Sequence, residues 1–172
     1  GGEMKGGEVR EGRGEMNEVG YPEVWPCCVT ELHRRGVVAI GAGGAHSGAA
    51  TVDGELYMWG CNDHGQLGLG GRRERQRPTE CSYFIDNEEA ICEVVCGDDY
   101  TAAINRDRQL FTWGSAAGGQ LGHGDKGGGG GGGRSADHLE PGLVMKLRKK
   151  GGVVAVHCGN GVTCIITDPT LL

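Results

Sequence analysis

Short β-branched and apolar runs, each closed by glycine, punctuate the chain. The first is Val37-Val38-Ala39-Ile40-Gly41-Ala42-Gly43, the second Ile91-Cys92-Glu93-Val94-Val95-Cys96-Gly97, the third Val153-Val154-Ala155-Val156-His157-Cys158-Gly159. Each is too short for a helix and reads as a buried strand. A second strand comes after each, over residues 46–51, 100–105 and 162–167. A third comes after the first two, over 55–59 and 109–113, and Asp53-Gly54 before the first of them is a two-residue hairpin signal. By the strand period of two, Tyr57 and Trp59 share one face, as do Phe111 and Trp113, while Leu56 and Met58 occupy the other. A strand apolar on both faces belongs between two sheets.

The strongest internal signal begins at the end of the third strand. Trp59-Gly60-Cys61-Asn62-Asp63-His64-Gly65-Gln66-Leu67-Gly68-Leu69-Gly70 returns 54 positions later as Trp113-Gly114-Ser115-Ala116-Ala117-Gly118-Gly119-Gln120-Leu121-Gly122-His123-Gly124, with seven of twelve residues identical. A further pattern, Pro-x-x-Val-x-x-Leu, starts at Pro26 and at Pro141, with a degenerate copy at Pro78, Cys81 and Phe84. It reads as an outer strand beginning at proline, which strand starts and sheet edges tolerate. Four short antiparallel strands in a period of this length make a propeller blade. The fold class is therefore all-β: a β-propeller of four-stranded antiparallel blades, incomplete, with about two and a half repeats. The repeats divide as 26–77, 78–140 and a partial 141–172.

The motif W-G-x-x-x-x-G-Q-L-G-x-G, preceded by A-G-G-x-H-S-x-A-x-T-x-D-G-x-L-Y-x-W-G, resembles the repeat of the regulator-of-chromosome-condensation family. That resemblance implies a seven-bladed β-propeller and covers roughly residues 26–168. The recurring positions are Gly43, Gly97 and Gly159 after the first strand, and His46, Ser47, Thr101 and Thr163 in the second. Tyr57, Trp59, Phe111 and Trp113 recur in the third. Gly60, Gly65, Gln66, Leu67 and Gly68 recur in the turn as Gly114, Gly119, Gln120, Leu121 and Gly122. Departures are Tyr100 and Val162 at the place of His46, and the absence of a third W-G and G-Q-L-G. The WD repeat would need Trp-Asp, and the Gly43-Gly44 doublet of a kelch repeat does not recur.

Composition fits this frame. Glycine is abundant, at 36 of 172 residues, as many tight turns require. Residues 1–25 form a Gly/Glu-rich tail with too little apolar surface to order. A poly-Gly insertion at 126–134 is a surface-loop linker, not a phosphate cradle, since no helix with Lys-Ser/Thr comes after it. Its extra length costs roughly 0.7 kcal/mol of loop closure. The net charge of −6 disfavours a general pull towards nucleic acid or anionic membrane, and no apolar run is long enough to span a bilayer. The chain starts at Gly1 rather than Met, so it reads as a fragment of a larger protein, and the lack of a visible signal peptide decides little; cysteines without a disulfide framework point to a reducing, intracellular compartment, cytoplasmic or nuclear.

No chemistry stands out. The eight cysteines lack C-x-x-C spacing. Cys96 and Cys158 take the repeat position of Ala42, and Cys164 that of Gly48 and Ala102, so they read as small buried residues. His46-Ser47 is not a catalytic dyad, because neighbours on a strand point to opposite faces and the copies read Tyr100-Thr101 and Val162-Thr163. The hydroxyl shared by Ser47, Thr101 and Thr163 reads as a structural hydrogen bond within each blade. Gln66 and Gln120 read as partners for turn backbone groups. Asp98-Asp99 and Asp86, Glu88 and Glu89 read as solvated loop carboxylates. No catalytic residue, cofactor or metal site is expected. Candidate interaction residues are the basic runs Arg72, Arg73, Arg75 and Arg77, and Arg148, Lys149 and Lys150. Few aromatics interleave them, which argues against base stacking. The expected role is a non-catalytic protein-interaction scaffold with protein partners. The alternative implied by the resemblance is guanine-nucleotide exchange on a small GTPase of the Ran type. A light-sensing relative would need Trp-rich blade faces, which Trp25 does not supply beside the two repeat tryptophans.

Overall fold

The computed structural model describes residues 28–124, 137–147 and 150–170. The tail at 1–25, the insertion at 126–134, Arg148 and Lys149 lie outside them. Of the unit Gly1–Thr30, only residues 28–30 are described. The compact unit Glu31–Leu172 carries ten strands among the described residues.

Strands β1 (Val37–Ala42), β2 (His46–Thr51), β3 (Leu56–Gly60) and β4 (Arg75–Glu80) form one antiparallel sheet in that spatial order. Strands β5 (Ile91–Cys96), β6 (Tyr100–Asn105), β7 (Leu110–Gly114) and β8 (His138–Leu143) repeat it. A two-stranded sheet, β9 (Gly152–Cys158) with β10 (Thr163–Asp168), supplies the inner half of a third blade. The blade architecture expected from the repeat is present, two blades and a half.

Three local expectations are corrected. The outer strand does not begin at proline: Pro78 lies inside β4 and Pro141 inside β8. Both strands are the last in their sheet, where a missing N–H is harmless. The residues after each proline form helical turns instead, α1 (Ser82–Asp86) and η2 (Met145–Leu147). The spacing of Cys81 and Phe84 by three is a helical period, and it places both in the core. The second correction concerns the hairpin. Gly54 N–H donates to Thr51 O, and Thr51 N–H to Glu55 O, so Val52-Asp53-Gly54 is a three-residue loop with Gly54 at φ 93°. Arg108 holds the same place at φ 60°. A type I turn closed by one left-handed residue matches the strand twist, and this position decides the loop length.

The third correction concerns burial. The expected buried strand β1 is mostly exposed, whereas Ile91, Val94 and Cys96 of β5 are buried. Cys164 is exposed, not buried as a small core residue. The reason is position in the stack. One apolar cluster, with Leu56, Met58, Leu67, Phe84, Val94 and Trp113, fills the space between the first and second blades. Another, with Tyr100, Ile104, Leu121, Val153 and Val156, fills that between the second blade and β9–β10. The core therefore lies between blades. Ile40, at the place of Val94, is 78% exposed because no blade stands before it among the described residues.

Candidate functional site

The recurring polar residues meet at the blade junctions. Gln66 O, in the turn after β3, accepts from Thr101 Oγ1 at 2.7 Å and from Trp113 Nε1 at 2.8 Å. Thr101 is also 2.8 Å from His46 Nε2. The threonine hydroxyl has one proton, directed at Gln66 O, so His46 must donate through Nε2–H. The shared hydroxyl thus ties one blade to the next, which corrects the expectation of a bond within the blade. At the second junction Thr163 Oγ1 donates to Gln120 O at 2.8 Å, and Tyr100, at the place of His46, donates its hydroxyl to Val162 O at 2.6 Å.

The side chains of the two glutamines act inside their turns. Gln66 Oε1 accepts from His64 N–H at 2.9 Å and Gln120 Oε1 from Gly118 N–H at 2.7 Å. Gly65 and Gly68 hold φ of 78° and 69°, and a Cβ on Gly68 would stand 2.7 Å from Trp113 Nε1. Positive φ and close approach together require glycine there. Gly43 is needed by approach alone, since its Cβ would collide with Gly97 O. Leu67 and Leu121 are buried beneath their turns. Phe111 and Trp113 are buried, with Phe84 packed against both rings. Trp59, at the place of Trp113, is only half-buried.

The titratable groups at this junction are shielded from solvent. His46 is 3% exposed, and burial lowers its pKa to about 4, against an opposing pull from Asp99. Burial pushes Cys96 and Cys81 up to about 12 and Cys158 up to about 11, so these thiols stay protonated and inert. No group of three metal-ligating side chains converges among the described residues. Clefts of about 170 and 240 Å³ open beside Leu110 and Leu147 and beside Leu56 and Phe84. These are matching repeat positions, so the clefts belong to the architecture.

The basic loop is partly tied down. Arg72 Nη1 donates to Asp137 Oδ2 at 2.8 Å and also to Asp63 O, while His64 Nδ1 stands 3.3 Å from the same carboxylate. Arg77 pairs with Glu31 at 3.5 Å, and Arg75 donates to Glu74 O at 3.3 Å. Arg72, Arg73 and Arg77 are exposed, as is Lys150. The structure brings the first run together and leaves Lys150 at a different connection, before β9. Asp98 and Asp99 are exposed, as are Asp86 and Glu88; Glu89 instead accepts from Asn105 Nδ2 at 2.5 Å.

Sequence reasoning missed two organisers. Asn62 is 1% exposed; its Nδ2 donates to Gly71 O and Arg73 O, and its Oδ1 accepts from Leu67 N–H. It shapes the basic loop, but Ala116 holds its place in the second copy, so recurrence could not reveal it. Asp137 comes after the Gly run and carries no motif; only tertiary folding puts it beside Arg72.

Comparison with known proteins agrees with this geometry. The family model described as "Regulator of chromosome condensation (RCC1) repeat" matches residues 53–104 and 107–166, and a second model with that description matches 37–66. The human E3 ubiquitin-protein ligase HERC2 is 35% identical over 156 residues, covering 88% of this chain and 3% of its own length. The crystal structure of human WBSCR16 matches with a TM-score of 0.62 at 25% identity, covering 76% of this chain and 30% of that one. The crystal structure of Prp20p from Saccharomyces cerevisiae, a protein described with binding properties to Gsp1p and histones, matches with a TM-score of 0.61 at 20% identity. It covers 74% of this chain and 30% of its own. The chain thus spans less than a third of each of these proteins.

Proposed function

Because this chain belongs to the regulator of chromosome condensation repeat family, we propose that it is a non-catalytic protein-interaction scaffold of RCC1-type blades. One observation carries the reading: the recurring polar groups are engaged between blades, as when Thr101 Oγ1 and Trp113 Nε1 both donate to Gln66 O. The groups turned to solvent for a partner are basic. Arg72 and Arg73 stand exposed on a loop fastened by Asn62 and Asp137, and Arg77 stands exposed on β4, with Arg72 also paired to Asp137 and Arg77 to Glu31. A rigid cationic loop suits an acidic protein surface, with affinity that falls as salt screens it. Nucleic acid suits it less, given the net charge of −6. The protonated thiols fit a reducing compartment, cytoplasmic or nuclear. No helix among the described residues is long and apolar enough to cross a membrane. The ligase activity in the name of HERC2 belongs to a protein of which this chain spans 3%, and it is not carried over.

A second reading is nucleotide exchange on a Ran-type GTPase. It is favoured by the fold shared with Prp20p, which is described with binding properties to Gsp1p. Exchange of that kind needs loops from several adjacent blades in fixed register, and two and a half blades present few. The test is release of a fluorescent guanine nucleotide from Ran with the chain in excess. The intrinsic rate is expected; release well above it would replace the scaffold reading with the exchange reading.

A further inference from the structure

Of the two clefts of matching construction, one has an acidic rim. The cleft of about 240 Å³ lies between the β2–β3 hairpin and the connection that runs from β4 to β5. Its floor is apolar and uncharged. Leu56, Cys81 and Phe84 are each 1% exposed, and the Cys81 thiol, held protonated by burial, donates to Gly68 O at 3.3 Å. Ile85 of α1 also lines the cleft and is 55% exposed. Asp53, Glu55, Glu88 and Glu89 line the rim, and no basic residue does so among the described residues.

The second cleft, of about 170 Å³, repeats the apolar floor with Leu110, Val144 and Leu147. Its rim differs. Arg108 and Gln109 hold the places of Gly54 and Glu55, and Gly151 and Gly152 line it where Glu88, Glu89 and Ala90 line the first. The repeat therefore requires the cleft but not the carboxylates. Two of the four are engaged within the fold. Glu55 accepts from the Tyr57 hydroxyl at 3.2 Å and pairs with Arg35 at 3.4 Å, and Glu89 accepts from Asn105 Nδ2 at 2.5 Å. Beside the hairpin, Arg106 donates to Val52 O. Asp53 and Glu88 turn to solvent. Glu88 also holds φ 55°, a left-handed place after the helix that glycine would take without strain. A glutamate there at that cost points to a use for its charge.

We propose that this cleft binds a short basic segment of a partner protein, in which one leucine or methionine stands between lysines or arginines. The aliphatic side chain enters beside Ile85 and covers Leu56 and Phe84, while the flanking cations meet Asp53 and Glu88. At about 240 Å³ the cleft is smaller than most small-molecule sites and has room for one large side chain. A metal ion is the wrong occupant, because the carboxylates ring the cleft and no three converge among the described residues. Charges spread along a peptide match charges spread around a rim. The surface is separate from the basic loop and opposite to it in sign, so the failure of either reading leaves the other standing.

The test uses the full chain and a synthetic peptide, Lys-Arg-Leu-Lys-Arg with blocked ends, titrated by calorimetry. Saturable binding at one site is expected, weakening as salt is added. Alanine in place of the leucine should weaken it about tenfold, through the lost burial of the aliphatic side chain. Asp53→Asn combined with Glu88→Gln should weaken it about fivefold. Ile85→Lys, which sets a cation in the cleft, should abolish it. These substitutions change exposed side chains, and thermal melts equal to that of the unaltered chain establish that the fold is kept. No saturable binding, equal binding of the alanine peptide, or undiminished binding by the Asp53 and Glu88 double variant would each overturn the proposal. The last result would mean that the peptide follows the general negative charge of the chain and not this cleft.

Discussion

Trp59 and Trp113 hold one repeat position and have different work to do. Trp113 is fully buried against Phe84 and the first turn; Trp59 is half-buried at the front of the stack. Trp113→Ala should cost about 3–5 kcal/mol, as large core truncations do, and Trp59→Ala clearly less. Urea midpoints of the two variants check this, and equal losses would refute the assignment of burial to stacking. His46 gives a second test at this scale. Its pKa falls from 6.5 to about 4 on folding because burial penalises the cation. The unfolded chain then binds more protons than the native one between those values. The contribution of neutral His46 is complete above about pH 6.5 and is lost as pH falls towards 4. The loss is at most on the order of 3 kcal/mol. His46→Tyr, which copies the second repeat, should remove that part of the acid destabilisation when denaturant curves are compared from pH 7 to pH 4. The burial of His46 was not legible in the sequence, because its acceptor, Thr101 Oγ1, lies across a blade boundary 55 positions away.

Among the elements, the G-Q-L-G turn was legible and its purpose was not. Recurrence marks its glycines, yet only packing shows that an indole lies on Gly68 while, among the described residues, only Val144 comes near Gly122. Both substitutions to alanine meet the strain of positive φ, of order 1 kcal/mol. Gly68→Ala must in addition displace the Trp113 ring, so it should be the more destabilising by about 1–2 kcal/mol. Thermal melts of the pair would decide, and a larger loss at Gly122 would contradict the packing of Trp113 on Gly68. The helical turns after Pro78 and Pro141 were misread as strands because the prolines suit a sheet edge. The apolar spacing of three carried the correct signal.

At the scale of the whole molecule, two faces of the blade stack stand uncovered among the described residues. Ile40 is 78% exposed on one, and Val162 and Ile166 are 66% and 60% exposed on the other. The matching positions Val94, Tyr100 and Ile104 are buried, so these faces are built to be covered. Self-association at rising concentration is expected in sedimentation velocity, reduced by Ile40→Lys or Ile166→Lys. A clean monomer at all concentrations with a sharp cooperative melt would contradict it. The sequence by itself determined the all-β class, the blade period and the family. These are properties of local pattern, and a repeat supplies its own comparison. Only the tertiary structure decided which copy of each motif is buried, where Thr101 and Trp113 send their hydrogen bonds, and that Asp137 reaches Arg72. Such features depend on whether another blade stands alongside. Two copies of a motif can have the same residues and the same backbone angles, and neighbours alone set their burial, their partners and their chemistry.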